Sequence, residues 1–371
     1  MAWYPQGAPE MGHLRHMVLL FGDHWTPEQF RYYAAHLDPA GHPTDWLFDS
    51  FLLFVTNAPG GAAFLADINR GTTMSGEGDF YAIPMPKPGD KQDYEALLHM
   101  HLKPGGLLDN LQTAVGKLKT ELGDPAFKRN VVISLPYPGI NQTMWGALEP
   151  GGRCLNFGCV GQNLSRATAD RLAATTWFVD QVTAAWNQER WPDLNLLGFY
   201  WPFETVYRSW EIDDHWLLKE LHQYLRGGGK RFFWVPFYAT YNIHLLDDYQ
   251  NYYFDLAFMQ PNHMFYVKTP GIKGPARAAE QRNAGFELEY FLELPGENTQ
   301  VAGERHQRLR HYLDGGVHFG YINAACAWFH GRNGIMEMHS HADPVERELY
   351  EEIYRFVKGT YVAKTPLAEM P

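Results

Sequence analysis

The segment LNLLGFYWPFE, residues 194–204, decides how the rest of the chain reads. It is a continuous apolar run of strand length that ends in two large aromatics, Tyr200 and Trp201. A carboxylate, Glu204, follows three residues after the tryptophan. A run without polar alternation is the mark of a parallel strand covered on both faces. A second segment of this kind, AGFELEYF at 284–291, carries Glu287 and Glu289. Working outward, six more such segments appear: HMVLLFGDHW (16–25), DWLFDSFLLFV (45–55), NVVISLPY (130–137), KRFFWVPFY (230–238), FDLAFMQPN (254–262) and GVHFGYIN (316–323).

Helical patterns fit between them. Thr26 caps a helix that begins at Pro27, with Gln29 at the capping-box position. Residues 93–122 carry apolar positions at helical spacing, and Ser165 caps a helix over 166–188. A helix over 212–226 stops at Gly227-Gly228-Gly229. Helices over 302–313 and 343–358 complete the set; the last has Val345, Leu349, Ile353, Phe356 and Val357 on one side. Eight strands alternating with helices predict the α/β class and a (β/α)8 TIM-type barrel. The long stretches 57–92 and 138–164 follow strands two and three, which puts both on the catalytic face, where long loops shape clefts. With no repeat, low-complexity tract or linker, the expectation is a single domain over 1–371. Its barrel core spans about 15–330 and its C-terminal helix about 343–358.

Composition narrows the function classes. The chain has 371 residues, 45% hydrophobic and 20% charged, which supports a sizeable core and excludes a disordered chain. A formal net charge of −11 disfavours a nucleic-acid partner. No run approaches the roughly eighteen apolar residues of a spanning helix, so no membrane partner is expected. The N-terminus lacks the basic start, apolar stretch and small-residue cleavage site of a secretion signal. That fits a cytoplasmic protein or a mature secreted form that has lost its signal. Cys154, Cys159 and Cys326 read as free thiols rather than a disulfide framework. Their spacing suits no zinc site. The aromatic share of 15%, with 12 Trp and 21 Tyr, suits the faces of sugar rings, since Trp is rarely fully buried.

Functional groups of such a barrel gather at the C-terminal strand ends. Reading those ends gives Asp23, His24 and Trp25; Tyr137, Asn141 and Trp145; Tyr200, Trp201 and Glu204; Trp234 and Tyr238; Gln260, Asn262 and His263; Glu287 and Glu289; and Tyr321 and Asn323. Carboxylates, amides and aromatics converge while basic residues are nearly absent, which disfavours phosphorylated substrates. Hydrolysis of a glycosidic bond needs one carboxyl kept protonated and one kept charged. Aromatic surroundings raise a carboxyl pKa by desolvation. Glu204, framed by Trp201 and Phe203, is therefore the acid candidate; its bland reading is a helix N-cap or a solvated loop acid. Glu287 and Glu289 share one strand face, and inward carboxylates there are costly unless used or paired. Which of the two is catalytic stays open.

Asp23, Tyr137, Tyr200, Trp201, Trp234, Tyr238, Gln260, Asn262 and Tyr321 are the candidate substrate-binding residues. Trp234 and Tyr238 divide evenly between core and sugar platform. Asp49 starts strand two, at the stability end, and reads as structural. The pairs His99/His101 and His339/His341 lack i, i+4 helical spacing and an acidic partner, so neither a metal nor another cofactor is expected. Ser134 lacks the small-residue elbow of a hydrolase nucleophile.

FYWPFE, FFWVPFYA, the stretch with QPN at 260–262 followed by His263, and GFELEY occur in this order. Together they resemble the bacterial family known as domain of unknown function 4855, over roughly residues 15–330. The resemblance implies a barrel with a carbohydrate-active character and marks Glu204, Gln260, Asn262, Glu287 and Glu289 as motif positions. The paired strand-four and strand-seven acids also resemble the clan of retaining glycosidases built on this barrel. That clan has an Asn before the acid, where Phe203 stands here. The leading expectation is thus a glycoside hydrolase acting on a poly- or oligosaccharide. The alternatives are a non-catalytic carbohydrate-binding barrel and a polysaccharide lyase working through Tyr200 or Tyr238. The lack of basic residues to neutralise a uronic acid weighs against the lyase. The sugar, the linkage and the oligomeric state are not legible.

Overall fold

A computed structural model describes residues 2–64, 72–74, 80–82, 87–124, 128–188, 190–240, 243–264, 271–291, 299–331 and 333–371. Much of the 57–92 stretch expected to border the cleft, and Phe265 after the QPN triplet, lie outside the described residues.

Eight parallel strands close into a barrel: β1 (His16–Phe21), β2 (Ser50–Phe54), β3 (Arg129–Ser134), β4 (Leu194–Tyr200), β5 (Arg231–Trp234), β6 (Leu256–Met259), β7 (Gly285–Glu289) and β8 (Cys326–Phe329). Each pairs with its sequence neighbours, and β1 closes on β8 with Met17 opposite Ala327. The helices are α1 (Pro27–Ala34), α2 (Lys91–Leu102), α3 (Leu107–Leu122), α4 (Leu164–Trp186), α5 (Asp214–Gly227), α6 (Lys273–Gln281), α7 (Thr299–Phe319), α8 (Gly334–Ser340) and α9 (Pro344–Val357). This is the (β/α)8 architecture.

The continuous apolar strands have a simple cause. Outward residues such as Val18, Phe51, Val131, Phe199, Phe232, Trp234, Met259, Phe286 and Trp328 join a core shared with the helices. Inward residues such as Met17, Leu52, Val132, Phe233, Phe258 and Ala327 fill the barrel. Tyr4, Ala8, Met11 and Leu14 join that inner cluster and plug its N-terminal end. With both faces buried, alternation vanishes. β7 breaks the rule: Phe286 and Leu288 face outward, while Glu287 and Glu289 occupy the inward positions opposite Ala327 and Phe329.

Several expectations need correction. The segment 316–323 is not the eighth strand. Residues 316–319 continue α7, and Tyr321–Asn323 form a 3-10 turn before the true strand, Cys326–Phe329. Gly315 and Gly316 lie inside α7, where they admit close neighbours. A Cβ on Gly316 would meet the Phe356 ring at 2.2 Å, and one on Gly315 the Tyr321 hydroxyl at 2.6 Å. The 93–122 helix is two helices, α2 and α3, parted at Lys103–Gly106, where Gly105 adopts a positive φ of 70°. Asn163, not Ser165, caps α4 by accepting the Arg166 N–H at 2.9 Å. Helices α6 and α8 carried no expectation from the sequence. The Thr26–Gln29 capping box forms as expected, with both bonds present.

Candidate functional site

Strand β4 sets the site by an irregularity. Leu196 pairs with Val131, but Gly198 pairs with Val132, so Leu197 is an extra residue in a bulge. Gly198 is required there, since a Cβ would lie 1.9 Å from the Arg231 carbonyl of β5. The bulge shifts the side-chain alternation by one. Phe199 therefore points to the helices and Tyr200 into the barrel. Trp201 then turns outward as well, and Glu204 follows in the β4–α5 loop at the C-terminal mouth.

Three carboxyls gather around one amide. Gln260, just past β6, donates from Nε2 to Glu204 Oε1 at 3.2 Å and accepts from Asn262 Nδ2 at 3.2 Å. Asn262 holds a left-handed φ of 57°, which Asn tolerates better than most residues. Glu287 and Glu289 lie deeper, each 1% exposed. Tyr312 on α7 donates its hydroxyl to Glu289 Oε2 and accepts the His263 backbone N–H at 3.0 Å. Glu287 Oε2 and Glu289 Oε1 have no hydrogen-bond partner among the described residues.

The electrostatics are graded. Burial pushes Glu287 well above the ordinary carboxyl range, and the charges of Glu289 and Glu204 push it further, with Gln260 opposing. Burial pushes Glu289 up to about 8; the Tyr312 hydroxyl and Asn262 amide oppose, and Glu204 reinforces. Glu204 opens to solvent, yet the walls of the mouth crowd it enough that desolvation raises its pKa, with Gln260 opposing. The same charges of Glu287 and Glu204 add to burial in raising the Tyr200 hydroxyl, which places Tyr200 against the cluster. None of the resolved contributions to the three glutamates comes from Lys or Arg. Such a site can hold protons at some carboxyls and charge at others near neutral pH.

The structure brings Glu204, Gln260, Asn262, Glu287, Glu289 and Tyr200 together. Tyr238 reaches them only through its backbone, its N–H on the Gln260 carbonyl at 2.9 Å; its half-buried ring packs on the helix-side core with its hydroxyl against Gly274 of α6. Asp23 stands at the end of β1, 3.1 Å from the exposed His24 imidazole. Four candidates lie elsewhere. Trp201 and Tyr137 are buried behind the strands, edge to face at 5.3 Å, with the Tyr137 hydroxyl donated to Asp214 at 3.1 Å. Trp234 stacks on Phe254 at 4.9 Å and donates to the Phe203 carbonyl at 2.6 Å. Tyr321 is buried in the turn before β8, at the opposite end of the barrel, stacked on Phe286 at 4.3 Å. All four are core aromatics. They were placed at the site because a strand end read from sequence does not reveal which face a ring takes. Tyr312 was missed: its helix was legible, but nothing in its spacing marks one buried tyrosine as a carboxylate partner.

Among the described residues no group of three His, Cys, Asp or Glu side chains is placed to hold a metal ion. No helix among them is long and apolar enough to cross a membrane. A cavity of about 520 Å³ opens at the N-terminal end between Arg15, Trp46, Asp49, Arg129 and Lys358. It lies far from the carboxyls. Barrels of this kind place chemistry at the C-terminal end and stability at the other, so the carboxyl cluster is the candidate site.

Solved structures similar to this one include the following two. A structure from a study of the pneumococcal virulence factor StrH and of N-glycan recognition and hydrolysis is 10% identical. That match covers 98% of this chain and 89% of the other at a TM-score of 0.41. The GH18 chitinase ChiB from the chitin utilization locus of Flavobacterium johnsoniae is 10% identical, over 93% of this chain and 95% of that one, at a TM-score of 0.42. No curated protein matches the sequence. The FYWPFE, QPN and GFELEY motifs all fall inside residues 20–355, which match the family model described as Domain of unknown function (DUF4855), and the chain belongs to that family.

Proposed function

We propose that this protein is a glycoside hydrolase that cleaves an uncharged poly- or oligosaccharide with Glu204 and Glu289. The observation that carries the reading is the cluster of three carboxyls at the ends of β4 and β7, with Gln260 bonded to Glu204 and acting on Glu287, and with their pKa values graded. Groups whose environments push their pKa values apart are the ones that divide acid and base roles. Glu204, solvated at the mouth and the least shifted upward, takes the charged role. Glu289, holding its proton to about pH 8, supplies the proton to the leaving oxygen. This reverses the assignment of Glu204 as the acid that its aromatic neighbours suggest in the sequence. Those rings turn away from Glu204: Trp201 is buried in the helix-side core, and half-buried Phe203 packs against Tyr137 at 4.5 Å. Glu287 stays neutral beneath, because burial desolvates its charged form and the neighbouring carboxyls oppose a further charge.

The test is a glycan panel scored for new reducing ends. Glu204→Gln and Glu289→Gln are each expected to lower turnover by about 10²–10⁴-fold while the fold is kept. Full activity in both variants sinks the proposal.

One observation favours a second reading. Glu287 and Glu289 are almost closed to solvent, which suits a barrel that binds carbohydrate without cleaving it. That reading expects sugar affinity with no reducing ends released by any member of the panel.

A further inference from the structure

Trp210 is 79% exposed and lies six residues beyond Glu204 in the same β4–α5 loop. Singly exposed hydrophobics are ordinary on protein surfaces. Three observations set this one apart. First, four large hydrophobics among the described residues are more than 70% exposed: Met144, Val160, Trp210 and Val362. Three of them sit on the loops after β3 and β4, at the mouth. Those loops touch, with the Cys159 thiol 3.7 Å from the Glu211 carbonyl.

Second, the ring is held out by a built hairpin. Arg208 and Asp213 form an antiparallel bridge, the Ser209 N–H donates to the Ile212 carbonyl at 2.8 Å, and the Glu211 N–H donates to Ser209 Oγ at 3.3 Å. At its base, the Asp214 N–H donates to the Tyr207 carbonyl at 2.9 Å, and the buried Arg171–Asp214 pair locks the far strand at 2.5 Å. These bonds fix the backbone that carries the indole. Third, polar residues flank the indole in the chain: Arg208 and Ser209 before it and Glu211 after it.

From these we infer that Trp210 is a distal platform for a sugar ring of the same uncharged, polymeric glycan whose bond is cut at Glu204; this rests on the hydrolase reading above. The apolar C–H face of a pyranose lies on the indole, and its hydroxyls meet the polar flanks. A stable protein partner needs roughly 1,000 Å² of interface, which one hairpin tip among charged residues does not offer. The net charge of −11 repels an anionic polymer. Six residues of extended chain span at most about 20 Å, so a glycan of several units is long enough to reach from Glu204 to Trp210. The platform fits a chain substrate, with one sugar on the indole and another at Glu204.

The experiment uses the full protein and its Trp210→Ala and Trp210→Tyr variants. Each is run through gels containing hydroxyethyl cellulose, xylan, galactomannan, dextran or glycol chitin, and assayed on each polymer and its disaccharide. The wild type is expected to be retarded by at least one polymer. Trp210→Ala should lose that retardation and raise KM for the polymer about tenfold, the size expected for losing one apolar contact face, with kcat and disaccharide turnover unchanged. Trp210→Tyr should recover most of the affinity. Equal cleavage of the polymer by wild type and Trp210→Ala overturns the platform and leaves the Glu204 reading standing. A wild type that neither binds nor cleaves any polymer overturns both. Conversion of an oligomer to a monomer by Trp210→Ala, seen by light scattering, overturns the platform and gives the patch to a second copy of the chain.

Discussion

Arg171 and Asp214, and Glu287 and Glu289, are two pairs of ionisable side chains withdrawn from water, and the fold treats them in opposite ways. The first pair joins opposite charges at 2.5 Å. It is completed by the Tyr137 hydroxyl on Asp214 at 3.1 Å and by Arg171 Nε on the Pro138 carbonyl at 2.7 Å. The second pair sets two like groups side by side on one strand face, with an oxygen of each left without a partner among the described residues. A pair of opposite charges fixes geometry, here of the β4–α5 loop, even with Arg171 Nη1 left without a hydrogen-bond partner among the described residues. An unsatisfied pair of acids holds protons at a pH where carboxyls are normally charged, and it lowers stability for as long as it is buried. The first arrangement is what a scaffold needs, and the second is what proton transfer needs.

The comparison can be broken in order of size. The largest effect is on activity: Glu289→Gln is expected to remove about 10²–10⁴-fold of turnover on any glycan the wild type cleaves. Arg171→Ala comes next, stranding Asp214 in a buried site. Chemical denaturation should show a loss of about 3–5 kcal/mol. A loss below about 1 kcal/mol would mean the pair is not the anchor described here.

The third effect has a definite sign. Glu289 ionises near pH 4.5 when unfolded and at about 8 when folded. The folded state therefore binds more protons between those values, and stability contributed below pH 4.5 is lost as pH rises towards 8, by up to about 1.4 kcal/mol per unit. Glu289→Gln should raise Tm at pH 8 and leave it nearly unchanged at pH 4. A variant less stable than wild type at pH 8 contradicts a buried, costly acid.

The smallest effect is the sharpest probe of the pair. Tyr312→Phe removes the hydroxyl that favours the charged form of Glu289. The alkaline limb of the kcat/KM profile, set near pH 8, should move up by about one unit or less, as expected for one hydrogen bond. A limb that stays in place detaches Glu289 from that ionisation.

The barrel was legible because parallel strands buried on both faces leave long apolar runs, and LNLLGFYW and FDLAFM are such runs. The eighth strand was misplaced because CAWF is four residues long, while the helical Gly315-Gly316 that precedes it looks like a boundary. The acids of the site were legible for the opposite reason. Glu287 and Glu289 interrupt an apolar strand, and an interruption of that kind stands out. The aromatic lining was not legible, since Tyr137, Trp201 and Trp234 are as apolar in the core as on a sugar platform.

The sequence by itself determined the strand-and-helix alternation, the positions of Glu204, Gln260, Asn262, Glu287 and Glu289 at strand ends, and an acidic surface unsuited to anionic polymers. Only the tertiary structure decided which way those ends face. The bulge at Leu197 shifts the alternation so that Tyr200 meets the carboxyls and Trp201 the helices, and it exists because Gly198 lets β5 approach closer than any side chain would allow. Tyr312, on the helix that follows β7, reaches Glu289 through packing that no local pattern encodes. Side-chain direction and carboxyl pKa both depend on which atoms the closed barrel packs nearby, so neither is written in the order of residues along one strand.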